Sequence, residues 1–142
     1  MTRVDFYIVG PHNRSSVELV ACRLTAKAFE QGQGVFLMVE SDAAAERLDD
    51  LLWTFRDISF VPHQRLGEER WPDTRIVVGA GEPPPTITEV MINLRHPVSP
   101  VFSRFDRVIE IVPSDPAHRD AGRARYRYYQ ERGYALNTRD LD

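Results

Sequence analysis

The residues best suited to chemistry lie near the end of the chain, where arginines recur at a regular interval. Arg119, Arg123 and Arg127 follow one another in steps of four residues, and Tyr126 lies three residues after Arg123. In an α-helix these positions are neighbours, so the guanidinium groups would form one ridge beside the tyrosine ring. Guanidinium groups bind carboxylates through paired hydrogen bonds, and tyrosine offers an apolar wall with a polar tip. This pattern predicts a site for a short acidic peptide with a free C-terminal carboxylate.

A second candidate surface lies in the first half of the chain, where two large aromatic residues occupy unusual positions. Trp53 falls at the end of a predicted helix, and Phe60 follows in a segment interrupted by Pro62. Aromatic residues at such places often anchor a partner protein. The leucines of the same helix point to the alternative, in which Trp53 joins the core, and the helix pattern taken alone favours that alternative.

The usual signatures of an enzyme are missing from the sequence. Residues 10–14, the turn after the first predicted strand, contain one glycine, and Pro11 removes an amide that a phosphate would need. No GxGxxG, GxxxxGK[ST], HExxH or GxSxG motif occurs, and the four histidines have no metal-ligand spacing. The single cysteine, Cys22, lies on an apolar helix stripe. These observations predict a binding protein with no catalytic residue, no cofactor and no metal.

Strands and helices alternate along the chain and must position these residues. Apolar, β-rich segments predict five strands, at residues 4–9, 34–39, 74–79, 88–94 and 106–112. Amphipathic segments predict helices at residues 16–31, 43–55 and 116–132. Ser15 or Ser16 would cap the first helix and Asp42 the second, while Pro116 and Gly133 suit the ends of the third. The order predicts an α/β fold, a single domain over residues 1–142 with a largely parallel five-stranded sheet flanked by helices, Rossmann-like without a nucleotide-binding loop.

The charge of the chain is mildly acidic overall but uneven along its length. The net charge is -3, Lys27 is the only lysine, and five arginines fall between Arg119 and Arg132. A local basic surface on an acidic protein suggests one particular anionic partner and argues against general coating of nucleic acid. The lone cysteine, the lack of a signal-peptide pattern and the lack of an apolar run of membrane length predict a cytoplasmic protein without membrane contact.

The order of these features resembles the chi subunit family of bacterial DNA polymerase III along nearly the whole chain. The matching pieces are, in order, Asp5-Phe6-Tyr7, Leu48-Asp49-(x)2-Leu52-Trp53, Phe60-Val61-Pro62-His63, Ile92-Asn93-Leu94-Arg95, Val112-Pro113, and Arg125-Tyr126-Arg127-(x)-Tyr129-(x)3-Gly133-(x)2-Leu136-Asn137. Their combination at these spacings is the specific signal, and residues 65–85 match least.

The resemblance implies an α/β fold, no catalytic activity and two surfaces that bind partner proteins. Trp53 and Phe60 fall where family members keep aromatic residues toward the psi subunit, which carries chi to the clamp loader. The other surface receives the acidic C-terminal tail of single-stranded DNA-binding protein. The positions where the family places basic residues and a tyrosine for that tail are Arg119, Arg123, Tyr126 and Arg127. The resemblance therefore implies a replication adaptor that contacts nucleic acid only indirectly.

Two other functions are compatible with the residues alone. A small nucleotide-using enzyme could be built on the same α/β fold, although the phosphate-binding loop is missing. The arginines of the last helix could instead contact nucleic acid directly, because guanidinium groups also suit phosphate. A third explanation of the arginine pattern is a solvated helix face without any partner.

Overall fold

The computed structural model describes residues 1–56, 61–68 and 74–141. The strands in these ranges are β1 (Arg3–Val9), β2 (Val35–Met38), β3 (Gln64–Arg65), β4 (Ile76–Gly79), β5 (Val90–Asn93), β6 (Arg107–Val112) and β7 (Ala135–Leu141). The helices are α1 (Val17–Glu30), α2 (Asp42–Thr54) and α3 (Pro116–Glu131), with a short 3-10 helix at Phe102–Arg104. Within the described ranges, none of the helices has the length and apolar character that a membrane span requires.

All seven strands belong to one sheet in the order β3-β4-β2-β5-β6-β1-β7, and every neighbouring pair is parallel. The predicted α/β class with a parallel sheet is confirmed, whereas the predicted number of five strands was wrong. The two strands that were missed lie at the two edges of the sheet. β3 has only two residues, and β7 is polar and mostly exposed, so neither has the apolar run of a buried parallel strand.

Helices cover the sheet from both sides, which explains the continuous apolar runs of the central strands. Each of the four-residue strands β2, β4 and β5 is buried along its whole length. α1 and α2 pack on one face, against strand residues such as Leu37 and Ile109. α3 packs on the other face, against the alternating residues Phe36 and Val108. Each central strand therefore contributes to two cores at once.

Each helix is preceded by a residue whose side chain accepts a hydrogen bond from a backbone amide of the first turn. Ser16 at α1 and Ser41 at α2 each accept a hydrogen bond from the amide three residues further on, both at 3.1 Å. The cap of α2 is therefore Ser41 and not the predicted Asp42. Asp42 is the first helical residue, and its negative charge interacts favourably with the positive end of the helix dipole. Asp115 caps α3, with Pro116 in the first turn as predicted.

α1 and α3 follow neighbouring strands but pack on opposite faces of the sheet. α1 follows β1 and leads across two strands to β2, whereas α3 follows β6 and leads across β1 to β7 at the edge. β1 and β6 are adjacent, and a crevice at the carboxyl ends of β5 and β6 is lined by residues of both helices. Open α/β sheets usually bind their ligands in crevices of this kind.

Candidate functional site

A pocket of about 250 Å³ lies between α3 and the strands at the β7 edge of the sheet. Its floor is apolar and its rim carries charged side chains. The residues that line it are Phe6, Ile8, Val112, Arg119, Gly122, Arg123, Tyr126, Thr138 and Asp140.

The parallel register of β1 and β7 sets the strand side of the pocket. Phe6 pairs with Thr138, and Ile8 pairs with Asp140. Side chains alternate along a strand, so all four of these residues belong to the face that α3 covers. The pocket therefore depends on β7 as much as on the helix.

Gly122 allows α3 to approach the sheet closely above this floor. A Cβ atom at position 122 would lie only 2.8 Å from Cγ2 of Val112 on β6. Tyr126 lies one turn further along α3, half-buried, with its ring edge-on to Phe6 at a centroid distance of 5.2 Å. The tyrosine thus forms an aromatic wall between the apolar floor and the solvent.

Arg119 and Arg123 provide the positive charge at the rim. Arg119 Nε donates to the carbonyl oxygen of Ser114 at 3.2 Å. Arg123 Nη1 donates to the Asp120 carboxylate at 3.2 Å, with the two side chains 69% and 76% exposed. Exposed ion pairs contribute little free energy, so Arg123 remains able to bind a carboxylate from another molecule.

Three of the four residues predicted for the acidic peptide line this pocket, and Arg127 does not. Arg127 is exposed on α3 beyond the rim. A step of four residues turns an α-helix by about 400°, which is about 40° more than a full turn. Two such steps rotate Arg127 by about 80° from Arg119, so the ridge winds away from the pocket.

Sequence reasoning missed the contribution of β7 to the site. Thr138 and Asp140 were not recognised because no strand was predicted there. The one available signal was Leu136-Asn137, which belongs to the family-like pattern at the end of the chain. Asp140 also adds a carboxylate to the pocket, so its rim is not uniformly positive.

A buried carboxylate holds the inner face of α3 against the sheet. Glu110 on β6 is fully buried and accepts hydrogen bonds from Arg125 Nε at 2.9 Å, Tyr129 Oη at 2.7 Å and Asn93 Nδ2 at 3.1 Å. Burial raises the pKa of Glu110, and the Arg125 guanidinium opposes that shift. The network links β5, β6 and α3 and fixes the position of the helix that carries the rim arginines.

Trp53, predicted for the psi subunit, lies at the end of α2 and is 37% exposed. Its ring lies 4.1 Å from that of His63, which is buried. His63 Nδ1 lies 2.7 Å from the carbonyl oxygen of Val61, and Nε2 lies 3.1 Å from the Asp49 carboxylate. Trp53 therefore packs against a histidine ring that polar contacts hold in place, while part of the indole faces the solvent. Phe60, the other residue predicted for this surface, lies outside the described residues.

The surroundings of Trp53 are rich in carboxylates. A cavity of about 240 Å³ beside the indole is lined in part by Glu46, Asp49, Asp50 and Glu68. Burial raises the pKa of Asp49, and His63 opposes the shift. The two candidate surfaces therefore differ in charge, since α3 offers arginines and α2 offers acids.

Residues suited to metal or nucleophilic chemistry are not grouped in the described part of the chain. No set of three or more histidine, cysteine, aspartate or glutamate side chains in those ranges could hold a metal ion. Cys22 is buried in α1, and burial together with the nearby Glu18 raises the pKa of its thiol to about 12. The reactive thiolate form is therefore scarce at neutral pH.

Comparisons with known proteins agree on one family. A family model described as "DNA polymerase III chi subunit, HolC" matches residues 1–137. A protein of Pseudomonas aeruginosa named DNA polymerase III subunit chi is 39% identical over 141 residues, which covers 99% of this chain and 98% of that protein. Proteins of the same name from Haemophilus influenzae and Escherichia coli are 31% and 29% identical, with 96% and 97% of both chains covered.

A solved structure shares the fold without sharing the sequence. The crystal structure of T4 UvsW aligns with a TM-score of 0.65 and 9% identity, covering 99% of this chain and 42% of that one. At this identity the likeness concerns the architecture alone.

Proposed function

The chain belongs to the DNA polymerase III chi subunit family, and on that premise we propose that it binds the acidic C-terminal tail of single-stranded DNA-binding protein and links it to the clamp loader through the psi subunit. As a chi subunit it is a replication accessory protein and has no catalytic role of its own.

The proposal for the tail is supported mainly by the pocket under Arg119 and Arg123. Two cations stand above a floor formed by Phe6, Ile8 and Val112. A peptide that ends in an apolar residue could place that side chain on the floor and its terminal carboxylate between the guanidinium groups. Arg127, further along α3, would meet acidic residues that precede the end of the tail.

The proposal for the psi subunit is supported by Trp53. Its indole ring combines partial exposure with a buried histidine beneath it, which suits an aromatic anchor at a protein interface. This surface lies on α2, on the opposite face of the sheet from the pocket. One subunit could therefore bind both partners at the same time.

The proposed mechanism is tethering. DNA coated with single-stranded DNA-binding protein presents many copies of the same tail. A modest affinity for each tail would then be amplified by effective concentration. We also propose that residues 1–142 act as one chi-like domain in the cytoplasm, which a single cooperative unfolding transition and cell fractionation would check.

Calorimetry with three peptides tests the tail proposal. The first is acidic and ends in an apolar residue with a free carboxylate, the second has that carboxylate amidated, and the third lacks the apolar residue. An apolar side chain contributes about 1.5–3 kcal/mol on burial, so its loss should weaken binding at least about tenfold. Amidation should also weaken binding, because it removes the charge that faces the arginines. If the first peptide does not bind, or if all three bind equally, the pocket is not the tail site.

A further inference from the structure

We propose that the crevice at the carboxyl ends of β5 and β6 is a second ligand site, which binds a phosphoryl group. The crevice has a volume of about 220 Å³ and is separate from the pocket under Arg119 and Arg123. Its lining includes Glu18 of α1, Asn93, Arg95 and His96 at the end of β5, and His118 and Arg125 of α3.

The crevice lies beside the point where α/β sheets usually present a ligand site. α1 and α3 pack on opposite faces of the sheet after neighbouring strands, and the crevice is lined by residues from both helices. Val17 and Glu18 are the first two residues of α1. Amides in the first turn of a helix have no acceptor within the helix and favour negative charge.

Arg95 supplies the main observation that points to an anion. Its Nε atom is buried and has no hydrogen-bonding partner among the described residues. A buried donor without an acceptor is costly, and an oxyanion in the crevice would give this guanidinium an acceptor once the side chain turns toward it. Arg125 adds a second guanidinium, whose Nε binds Glu110 and whose Nη1 binds the carbonyl oxygen of His96. Neither of these bonds uses Nη2.

Two histidine rings complete the set of donors. The rings of His96 and His118 lie 5.4 Å apart. Nδ1 of His118 binds the Asp115 carboxylate at 2.7 Å, which leaves its Nε2 atom for another partner. The backbone of His96 is fixed by the Glu40 carboxylate at 2.9 Å and by Arg125 at 3.0 Å, and neither contact uses its ring.

The size and charge of the crevice favour a phosphoryl group over a larger ligand. Sites for whole cofactors and drug-sized molecules usually measure about 300–1,000 Å³, so this crevice suits one oxyanion whose remaining atoms project into solvent. A phosphate monoester carries about −1.5 to −2 charges at neutral pH and accepts hydrogen bonds through three oxygens. Among the lining residues Glu18 opposes an anion, and removing its charge should improve binding.

A titration followed by NMR tests the site with three probes: inorganic phosphate, deoxyadenosine 5′-monophosphate and deoxyadenosine. Phosphate and the nucleotide should bind saturably, and deoxyadenosine should not. Stronger binding of the nucleotide than of phosphate would indicate a nucleotide as the source of the phosphoryl group, and equal binding would indicate a free phosphate. The proposal would be overturned if deoxyadenosine bound with the same affinity as its monophosphate. It would also be overturned if neither anion bound saturably.

Variants locate the bound anion. Arg95→Gln should weaken phosphate binding at least about tenfold, since it removes a charged donor. His96→Gln should weaken it as well, and Glu18→Gln should strengthen it. Arg104→Gln is the matched control, because this exposed arginine lies just before the first residue of β6, at the end of the strand away from the crevice. Thermal unfolding would establish that each variant is folded. Unchanged affinity in both folded Arg95→Gln and folded His96→Gln would show that the anion binds elsewhere and would overturn the assignment.

Discussion

Arg123 and Arg125 are two residues apart on α3 and lie in opposite environments. The Arg123 side chain is 69% exposed at the rim of the pocket, whereas that of Arg125 is 9% exposed and binds the buried carboxylate of Glu110 at 2.9 Å. The same residue type therefore presents an exposed guanidinium group at one position and supports the fold at the other. Substitutions at the two positions should have different consequences.

Arg123→Glu should weaken binding of the acidic tail peptide by about tenfold to a hundredfold. The change replaces a charge-assisted hydrogen bond, which contributes about 1.5–3 kcal/mol, with repulsion. Folding should be nearly unaffected, because the Asp120 pair is exposed. Calorimetry should compare this variant with Arg23→Glu, an exposed position on α1 on the opposite face of the sheet. Equal affinities for Arg123→Glu and the wild type would mean that Arg123 belongs only to a solvated helix face.

Arg125→Ala should lower the free energy of unfolding by about 3–5 kcal/mol, because it leaves the Glu110 carboxylate buried without its cation. Urea unfolding at neutral pH measures this loss, and Arg123→Ala is the matched control on the same helix. A loss below about 1 kcal/mol, close to that of the control, would contradict the structural role given to the network.

Glu110→Gln should change how stability depends on pH. Burial raises the pKa of Glu110 above its ordinary value of 4.5, so the folded protein retains a proton that the unfolded chain releases. The stability that this group contributes is therefore fully present below pH 4.5 and is lost as the pH rises through the folded pKa. The difference in unfolding free energy between wild type and Glu110→Gln should fall over that range. A difference that stays constant with pH would mean equal pKa values in the folded and unfolded states.

Gly122→Ala should destabilise the protein by about 1–3 kcal/mol, as expected for overpacking. At an ordinary helix interior the same change stabilises by about 1 kcal/mol. The reversal is expected because the new methyl group would lie 2.8 Å from Cγ2 of Val112. Urea unfolding of the two single variants and the Gly122→Ala, Val112→Ala double variant gives the coupling. The double variant should lose less unfolding free energy than the two single variants lose together. Strictly additive losses would argue against a close contact between the helix and the sheet.

Trp53→Ala should reduce binding to the psi subunit by about 2 kcal/mol or more and leave the isolated protein folded. The indole is partly exposed, so its removal opens no closed cavity in the core. Phe29→Ala is the matched control, since Phe29 on α1 is exposed to a similar extent, at 39%. Binding to purified psi subunit and thermal unfolding should be measured together. Unfolding of Trp53→Ala, or a loss of binding equal to that of the control, would place the ring in the core or outside the interface.

The central part of the fold could be predicted because burial on both faces leaves a clear mark in the sequence. The run around Leu37 is apolar throughout and lies in β2, as expected for a central parallel strand. β7 could not be found this way, because an exposed edge strand needs no apolar pattern. Its register beside β1 arises from long-range pairing, such as Phe6 with Thr138, which no local pattern records.

Of the candidate pocket, only the part formed by α3 could be predicted, because the spacing of residues along a helix determines which of them are neighbours. The four-residue spacing placed Arg119 and Arg123 together correctly, but the gradual rotation of the helix separates Arg127 from them. A single glutamate in the apolar strand Arg107–Val112 was a signal of the buried network. Its partners, Arg125 and Tyr129, lie four residues apart on the inner side of α3 and could be identified only in three dimensions.

The buried thiol of Cys22 makes the protein its own reporter of unfolding. It is the single cysteine of the chain, and burial keeps it protonated in the folded state. A maleimide should therefore react slowly with the native protein and rapidly once α1 separates from the sheet. A cysteine introduced at an exposed position would react first, so one fluorophore could be attached there without removing Cys22. The rate at which Cys22 itself reacts would then measure how often the core opens.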